Sequence, residues 1–127
     1  MQKNTGLKRI RLAGVYAFNG IVAAYRHEAA FRQELLLALF CVPAALILDV
    51  SRSERVLLIL VVGIVLVAEL INSAVEAVVD RIGSEHHELS GRAKDMGSGA
   101  VLVSLLLWAY VWLDIVVFGV WLGSSTA

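Results

Sequence analysis

The chain has little of what staples or punctuates a soluble fold. Its 127 residues include one cysteine and one proline. The lone thiol, Cys41, can form neither an internal disulfide nor a thiolate metal cluster. Net charge is missing as well, since eleven Lys and Arg balance eleven Asp and Glu. No nucleic-acid partner is therefore expected. Charge of either sign is scarce, at 17% of residues against about 25% in soluble domains. Disordered chains are polar and charge-rich, so disorder is excluded. Apolar residues fill the gap: 59%, or about 67% with the ten glycines, where a soluble domain carries roughly 45–50%. Mean hydropathy is +0.79. A soluble globule of this size has no interior large enough to hide that surface. The composition is that of a small integral membrane protein. No internal repeat, low-complexity run or linker divides it, so a single domain is expected.

Three apolar segments are candidates for membrane crossing. Residues 35–48 are uncharged but rise only about 21 Å, short of the roughly 30 Å hydrocarbon core. This segment spans only if residues 29–34 continue the helix. Residues 56–79 and 100–122 are long enough, and the predicted spans are about 29–48, 54–81 and 97–122. Six basic residues (Lys3, Lys8, Arg9, Arg11, Arg26, Arg32) precede the first span, and three (Arg81, Arg92, Lys94) lie between the second and third. Only Arg52 and Arg55 lie between the first two. Basic residues favour the cytoplasmic side. That bias predicts a cytoplasmic N-terminus and a cytoplasmic loop over 80–97. Residues 7–26 lack the uninterrupted apolar core of a signal peptide. Over about 6–27 they read as a moderately amphipathic surface helix in the headgroup layer, with Lys8, Arg11, Asn19 and Arg26 near one angle.

The chemistry concentrates in the few charges. Glu69, Asn72, Ser73, Glu76 and Asp80 fall at i, i+3, i+4, i+7 and i+11, one stripe of a helix. A charged group within a membrane helix costs about 2.5–3.5 kcal/mol on insertion scales. No Lys or Arg lies between residues 56 and 79 to offset these acids. A metal ion, a basic partner on another segment or a proton-binding role would each account for them. Glu76 and Asp80 could also simply meet water at the cytoplasmic border. A second cluster, His27, Glu28, Arg32, Gln33 and Glu34, precedes the first span, and its Glu28–Arg32 spacing suits a helix-surface ion pair. The third is DRIGSEHHELSGRAKDMGSG, residues 80–99, rich in Gly, Ser and acids with His86 and His87. Adjacent histidines on a helix point about 100° apart, a poor metal pair. No phosphate-binding G-x-x-x-x-G-K-[ST] is present, and neither an H-R-D nor a D-F-G set. Acids facing inward beside a basic, Gly-containing loop suit a divalent cation with an anionic ligand. They suit a small proton or cation transporter nearly as well. Asp114, Trp112 and Trp121 read as outer-leaflet or interfacial side chains without assigned chemistry.

The runs EAAFRQE (residues 28–34) and ELINSAVEAVVDRIGSEHHELSGRAKDMGSGAV (residues 69–101), with the three-span layout, closely resemble the prokaryotic integral-membrane diacylglycerol kinases. The resemblance implies an all-α integral membrane fold of three transmembrane helices plus the N-terminal amphipathic surface helix, assembled as a homotrimer. It implies ATP-dependent phosphorylation of diacylglycerol to phosphatidic acid at the cytoplasmic face of the bacterial inner membrane. By the same resemblance Glu69 matches the general base, and Glu28 and Glu76 match the carboxylates that hold Mg²⁺ against ATP. Asn72 and Asp80 match supporting polar groups. Nucleotide contacts fall on Arg9, Tyr16, Glu28, Glu76, Glu85, His86, His87, Lys94 and Asp95. Lipid contacts fall on Ala13, Phe18, Ala30, Phe31, Arg32, Gln33, Glu34, Asp49, Arg55, Glu69 and Ser98. The undecaprenol kinase branch of the family shares the nucleotide motifs and is the nearest alternative; Glu34 and the wording of the 83–98 run lean towards diacylglycerol.

Overall fold

The computed structural model describes residues 5–123; Lys3 lies outside the described residues. Four α-helices follow one another: α1 (Gly6–His27), α2 (Ala29–Ile47), α3 (Arg52–Ile82) and α4 (Glu88–Trp112). The last continues over Leu113–Leu122 with the wider i→i+5 pattern of a π-helix. Three stretches are long and apolar enough to cross a membrane: Ala29–Ile47, Arg52–Ile82 and Glu88–Leu122. Residues 29–34 are helical, which meets the length condition on the first span. The 19 residues of α2 reach about 28 Å at 1.5 Å each.

The α2–α3 turn is held by side chains suited to two helix ends. Ser51 and Glu54 form a reciprocal capping box, each side chain accepting from the other's backbone N–H at 3.2 Å. The Arg55 guanidinium donates to the carbonyls of Ala45 and Leu48, both at 3.0 Å. It thereby satisfies carbonyls that the end of α2 leaves without helical partners and places a cation at that helix's negative pole.

Packing runs along α3. One cluster joins Ala38, Cys41 and Val62, with Trp108 and Trp112 against it. A second joins Ala45, Leu58 and Ile115, with Trp112 again among its neighbours. Alanines on α2 let the helices approach closely, the usual device where lipid supplies no hydrophobic drive between helices. Trp112 also donates its indole N–H to the Leu58 carbonyl at 3.2 Å. The interfacial-belt reading of Trp112 did not include this packing. Trp112 is a bundle residue, placed by packing that single-residue amphipathicity does not reveal. Many remaining large apolar side chains point outward, among them Leu39, Phe40 and Leu106. That is the surface a span offers to lipid or to another helix.

Two local expectations change. The connection expected over 80–97 shrinks to residues 83–87, because α4 already begins at Glu88. His87 caps it, its Nδ1 accepting from the Leu89 N–H at 3.1 Å. The inward stripe there is Ser90, Ala93, Lys94, Gly97 and Val101, which keeps helical spacing in small and polar residues. Hydrophobic periodicity, the signal of a helix, is therefore absent. The Glu28–Arg32 ion pair does not form either. Arg32 donates instead to the carbonyls of Tyr25 at 2.8 Å and Arg26 at 3.2 Å, capping the C-terminus of α1. The i, i+4 rule assumes one continuous helix, and the helix breaks at Glu28.

Candidate active site

Four carboxylates converge from three elements. Glu69 and Glu76 come from α3 and Glu34 from α2, while Glu28 is the single extended residue between α1 and α2 (φ −114°, ψ 110°). Along α3 burial falls off by turns. Glu69 is 4% exposed and Asn72 7%, Glu76 is half-buried and the Asp80 side chain is 68% exposed. The stripe runs from the packed interior into an open edge.

Within that stripe each inner acid receives a donor from its own helix. The Ser73 hydroxyl donates to Glu69 Oε1 and the Asn72 amide Nδ2 to Glu76 Oε1, both at 3.4 Å. Both pairs are four residues apart, one turn along the same face. The fields of Glu76 and Glu28 act on Glu69, and that of Glu69 acts on Glu34. Two acceptor atoms here stay buried without a partner: Glu34 Oε2 and Asn72 Oδ1. Burying like charges together is costly unless a cation or proton joins them. The protein's own cation nearby is Lys94 on α4. It pairs with Asp80 at 3.0 Å and also feels Glu76.

Two recesses flank this acidic line. An apolar groove of about 600 Å³ lies between α1 and α3, lined by Gly20, Ala24, Glu28, Leu70, Ser73 and Ala77 among others. A smaller polar cleft of about 250 Å³ gathers Asp80, Glu85, His86, His87 and Lys94 around the α3–α4 connection. In it His87 already spends Nδ1 on the α4 cap.

Other candidate residues are placed as follows. Arg9, Ala13, Tyr16 and Phe18 are exposed along α1, and Ala30, Arg32 and Gln33 are exposed in the first turns of α2. Phe31 is buried. Asp95 and Ser98 are exposed on α4. Asp49 and Arg55 sit at the opposite end of α3 from the acids, with Arg55 and Glu69 about 21 Å apart along the helix axis at 1.5 Å per residue. The structure does not bring those two to the acidic cluster. Among the described residues no three His, Cys, Asp or Glu side chains come together as a preformed metal cage. Ser73, outside the candidate set, is the donor to Glu69. Its i, i+4 spacing was the available signal.

The sequence is similar to known proteins. Residues 15–116 match the family model described as prokaryotic diacylglycerol kinase. The chain belongs to the prokaryotic diacylglycerol kinase family. Curated relatives cover most of it. A diacylglycerol kinase of Escherichia coli (strain K12) is 55% identical over 108 residues, 85% of this chain and 88% of its own length. One from Pseudomonas aeruginosa is 52% identical over 111 residues (87% and 90%), and one from Haemophilus influenzae is 45% identical over 118 (93% and 100%). The matched family region contains the four convergent acids, Asn72, Asp80 and Lys94, whereas Arg9 and Ala13 precede it.

Proposed function

We propose that this chain is an ATP-dependent lipid kinase that phosphorylates the free hydroxyl of diacylglycerol to phosphatidic acid in the bacterial inner membrane. The observation that carries the reading is a nearly fully buried carboxylate, Glu69, flanked by Glu28, Glu34 and Glu76 and opening towards Lys94. Phosphoryl transfer requires positioning and charge neutralisation more than covalent chemistry. Glu69 accepts the proton of the lipid hydroxyl as its oxygen attacks the γ-phosphorus and the bond to the ADP oxygen breaks. Ser73 keeps the Glu69 carboxylate oriented. Lys94, held by Asp80, faces the phosphates, while the polar cleft at Glu85, His86 and His87 receives the nucleotide along with Asp95, Arg9 and Tyr16.

The donor set suits Mg²⁺. It is all oxygen, it carries excess negative charge, and it lacks the closed cage that Mg²⁺ does not require, because that ion keeps waters and substrate phosphates in its shell. Glu28 and Glu76 would hold it. When bound, it neutralises charge on the β- and γ-phosphates. The groove beside α1 offers an apolar place for an acyl chain. The diacylglycerol cannot leave the bilayer, so ATP comes to the membrane edge where α3 passes from buried to exposed. In this reading α1 lies on the cytoplasmic surface, and the N-terminus and the 83–87 connection face the cytoplasm. A homotrimer covers the outward apolar faces of one subunit.

The test is purified protein in mixed micelles with ATP, Mg²⁺ and either diacylglycerol or undecaprenol. Diacylglycerol-dependent ADP release is expected. Preference for undecaprenol reassigns the acceptor. Absence of lipid-dependent ADP release with either acceptor refutes the kinase reading and returns the buried acids to ion or proton transport.

A further inference from the structure

Helices α3 and α4 make a close approach at Gly97. A Cβ added there would overlap Asn72 Oδ1, and would stand 3.3 Å from Asn72 Cγ and 3.7 Å from its Cα. Asn72 is 7% exposed, so its side chain has little free space in which to move. Its two polar ends have unlike surroundings. Nδ2 donates to Glu76 Oε1, while Oδ1 is buried without a hydrogen-bond partner and abuts the bare Cα of Gly97. This orientation is the chemically consistent one, since turning the amide over would aim its oxygen at the Glu76 carboxylate. The backbone at Gly97 needs no left-handed conformation. The absent side chain, and not backbone freedom, is what the position requires.

We propose that Gly97 is a positioning residue: by leaving no Cβ on α4, it admits the Asn72 amide in the one orientation that donates to Glu76. The inference rests on the reading of Glu76 as a Mg²⁺-holding carboxylate. The contact to yield in Gly97→Ala is the side-chain amide of Asn72, which must rotate, because the alternative is to separate two packed helices. Rotation takes the donor from Glu76 and leaves that carboxylate unoriented. At 3.4 Å this bond is longer than a strong charge-assisted one, so its loss is worth about two- to ten-fold in the Mg²⁺ concentration at half-maximal activity.

The experiment is a double-mutant cycle of Gly97→Ala and Asn72→Ala in mixed micelles, read by Mg²⁺ titration of ADP release and by the side-chain amide signal of Asn72 in ¹⁵N NMR. Each single variant should raise the half-saturating Mg²⁺ about two- to ten-fold. The double variant should match Asn72→Ala alone, since the amide that transmits the effect is gone. The Asn72 amide signal should shift in Gly97→Ala as it does in Glu76→Gln. Multiplying effects in the double variant, or an unmoved amide signal, overturns the proposal. If Gly97→Ala loses its fold, Asn72→Ala should restore it by removing the overlap, and failure to do so also overturns it. Glu76→Gln separates the two readings. If it leaves the Mg²⁺ titration unchanged, the metal role of Glu76 fails, while the amide signal still decides whether Gly97 orients Asn72.

Discussion

Replacing Glu69 by Gln removes a charge and a base while preserving shape. The side chain is 4% exposed, so a change of volume would carry a packing penalty; the amide avoids that. Gln retains an Oε1 acceptor, so the Ser73 hydroxyl can still donate across the 3.4 Å contact. The substitution also removes the negative charge on which Glu28 and Glu76 act. Thermal stability should accordingly stay the same or rise. Catalysis should collapse, because general-base assistance is worth about 10²–10⁴-fold, or about 3–5 kcal/mol of barrier. The assay is lipid-dependent ADP release at saturating diacylglycerol, with nucleotide binding measured separately on the same micelles. A fall in kcat of at least about 100-fold with nucleotide affinity retained is expected. A loss of less than about ten-fold would refute the proton-acceptor role, since it lies below the range of general-base catalysis. Loss of nucleotide binding together with turnover would instead assign Glu69 to metal or nucleotide.

Other substitutions probe the frame and the edge of the site. Arg55→Met deletes both hydrogen bonds to the end of α2 and should lower unfolding free energy by about 2–4 kcal/mol, measured by denaturation in micelles, with half-saturating ATP unchanged. Lys94→Met removes an exposed ion pair with Asp80, so stability should hardly move. Half-saturating ATP should rise at least about ten-fold if the ammonium serves phosphates; unchanged ATP dependence would show that Lys94 only anchors Asp80. Ser51→Ala opens the capping box and should cost about 0.5–2 kcal/mol, with Ser51→Asp recovering most of it.

Much of the molecule can be read from its string of residues. The apolar runs announce the spans because nothing else accounts for so much apolar surface. The acidic stripe on α3 follows from spacing alone, and the structure turns it into a burial gradient from Glu69 to Asp80. The start of α4 escaped because its inward face is made of Ser90, Ala93, Lys94 and Gly97, residues that carry no hydrophobic rhythm. The role of Arg32 escaped because the i, i+4 rule presumes an unbroken helix, although the expected bounds, 6–27 and 29–48, already placed a joint at Glu28. Trp112 shows a further limit. Its donation to Leu58, 54 residues away in sequence, depends on how two helices pair, which no local pattern encodes. The recognisable caps were there to be read: Ser51-x-x-Glu54 ahead of an apolar run is a helix start by composition and spacing.

The joint at Glu28 has a mechanical meaning. One residue's φ and ψ set the angle between α1 and α2, so that residue works as a pivot. The 22 residues of α1 make an arm about 33 Å long. A rocking motion of about 10° sweeps the far end, near Leu7, through roughly 6 Å by that length. The Glu28 carboxylate, only about 4 Å from the axis of rotation by side-chain length, moves less than about 1 Å. Because Arg32 on α2 also holds the Tyr25 and Arg26 carbonyls at the base of α1, a swing of the far end leaves the acid at the joint in register with Glu69.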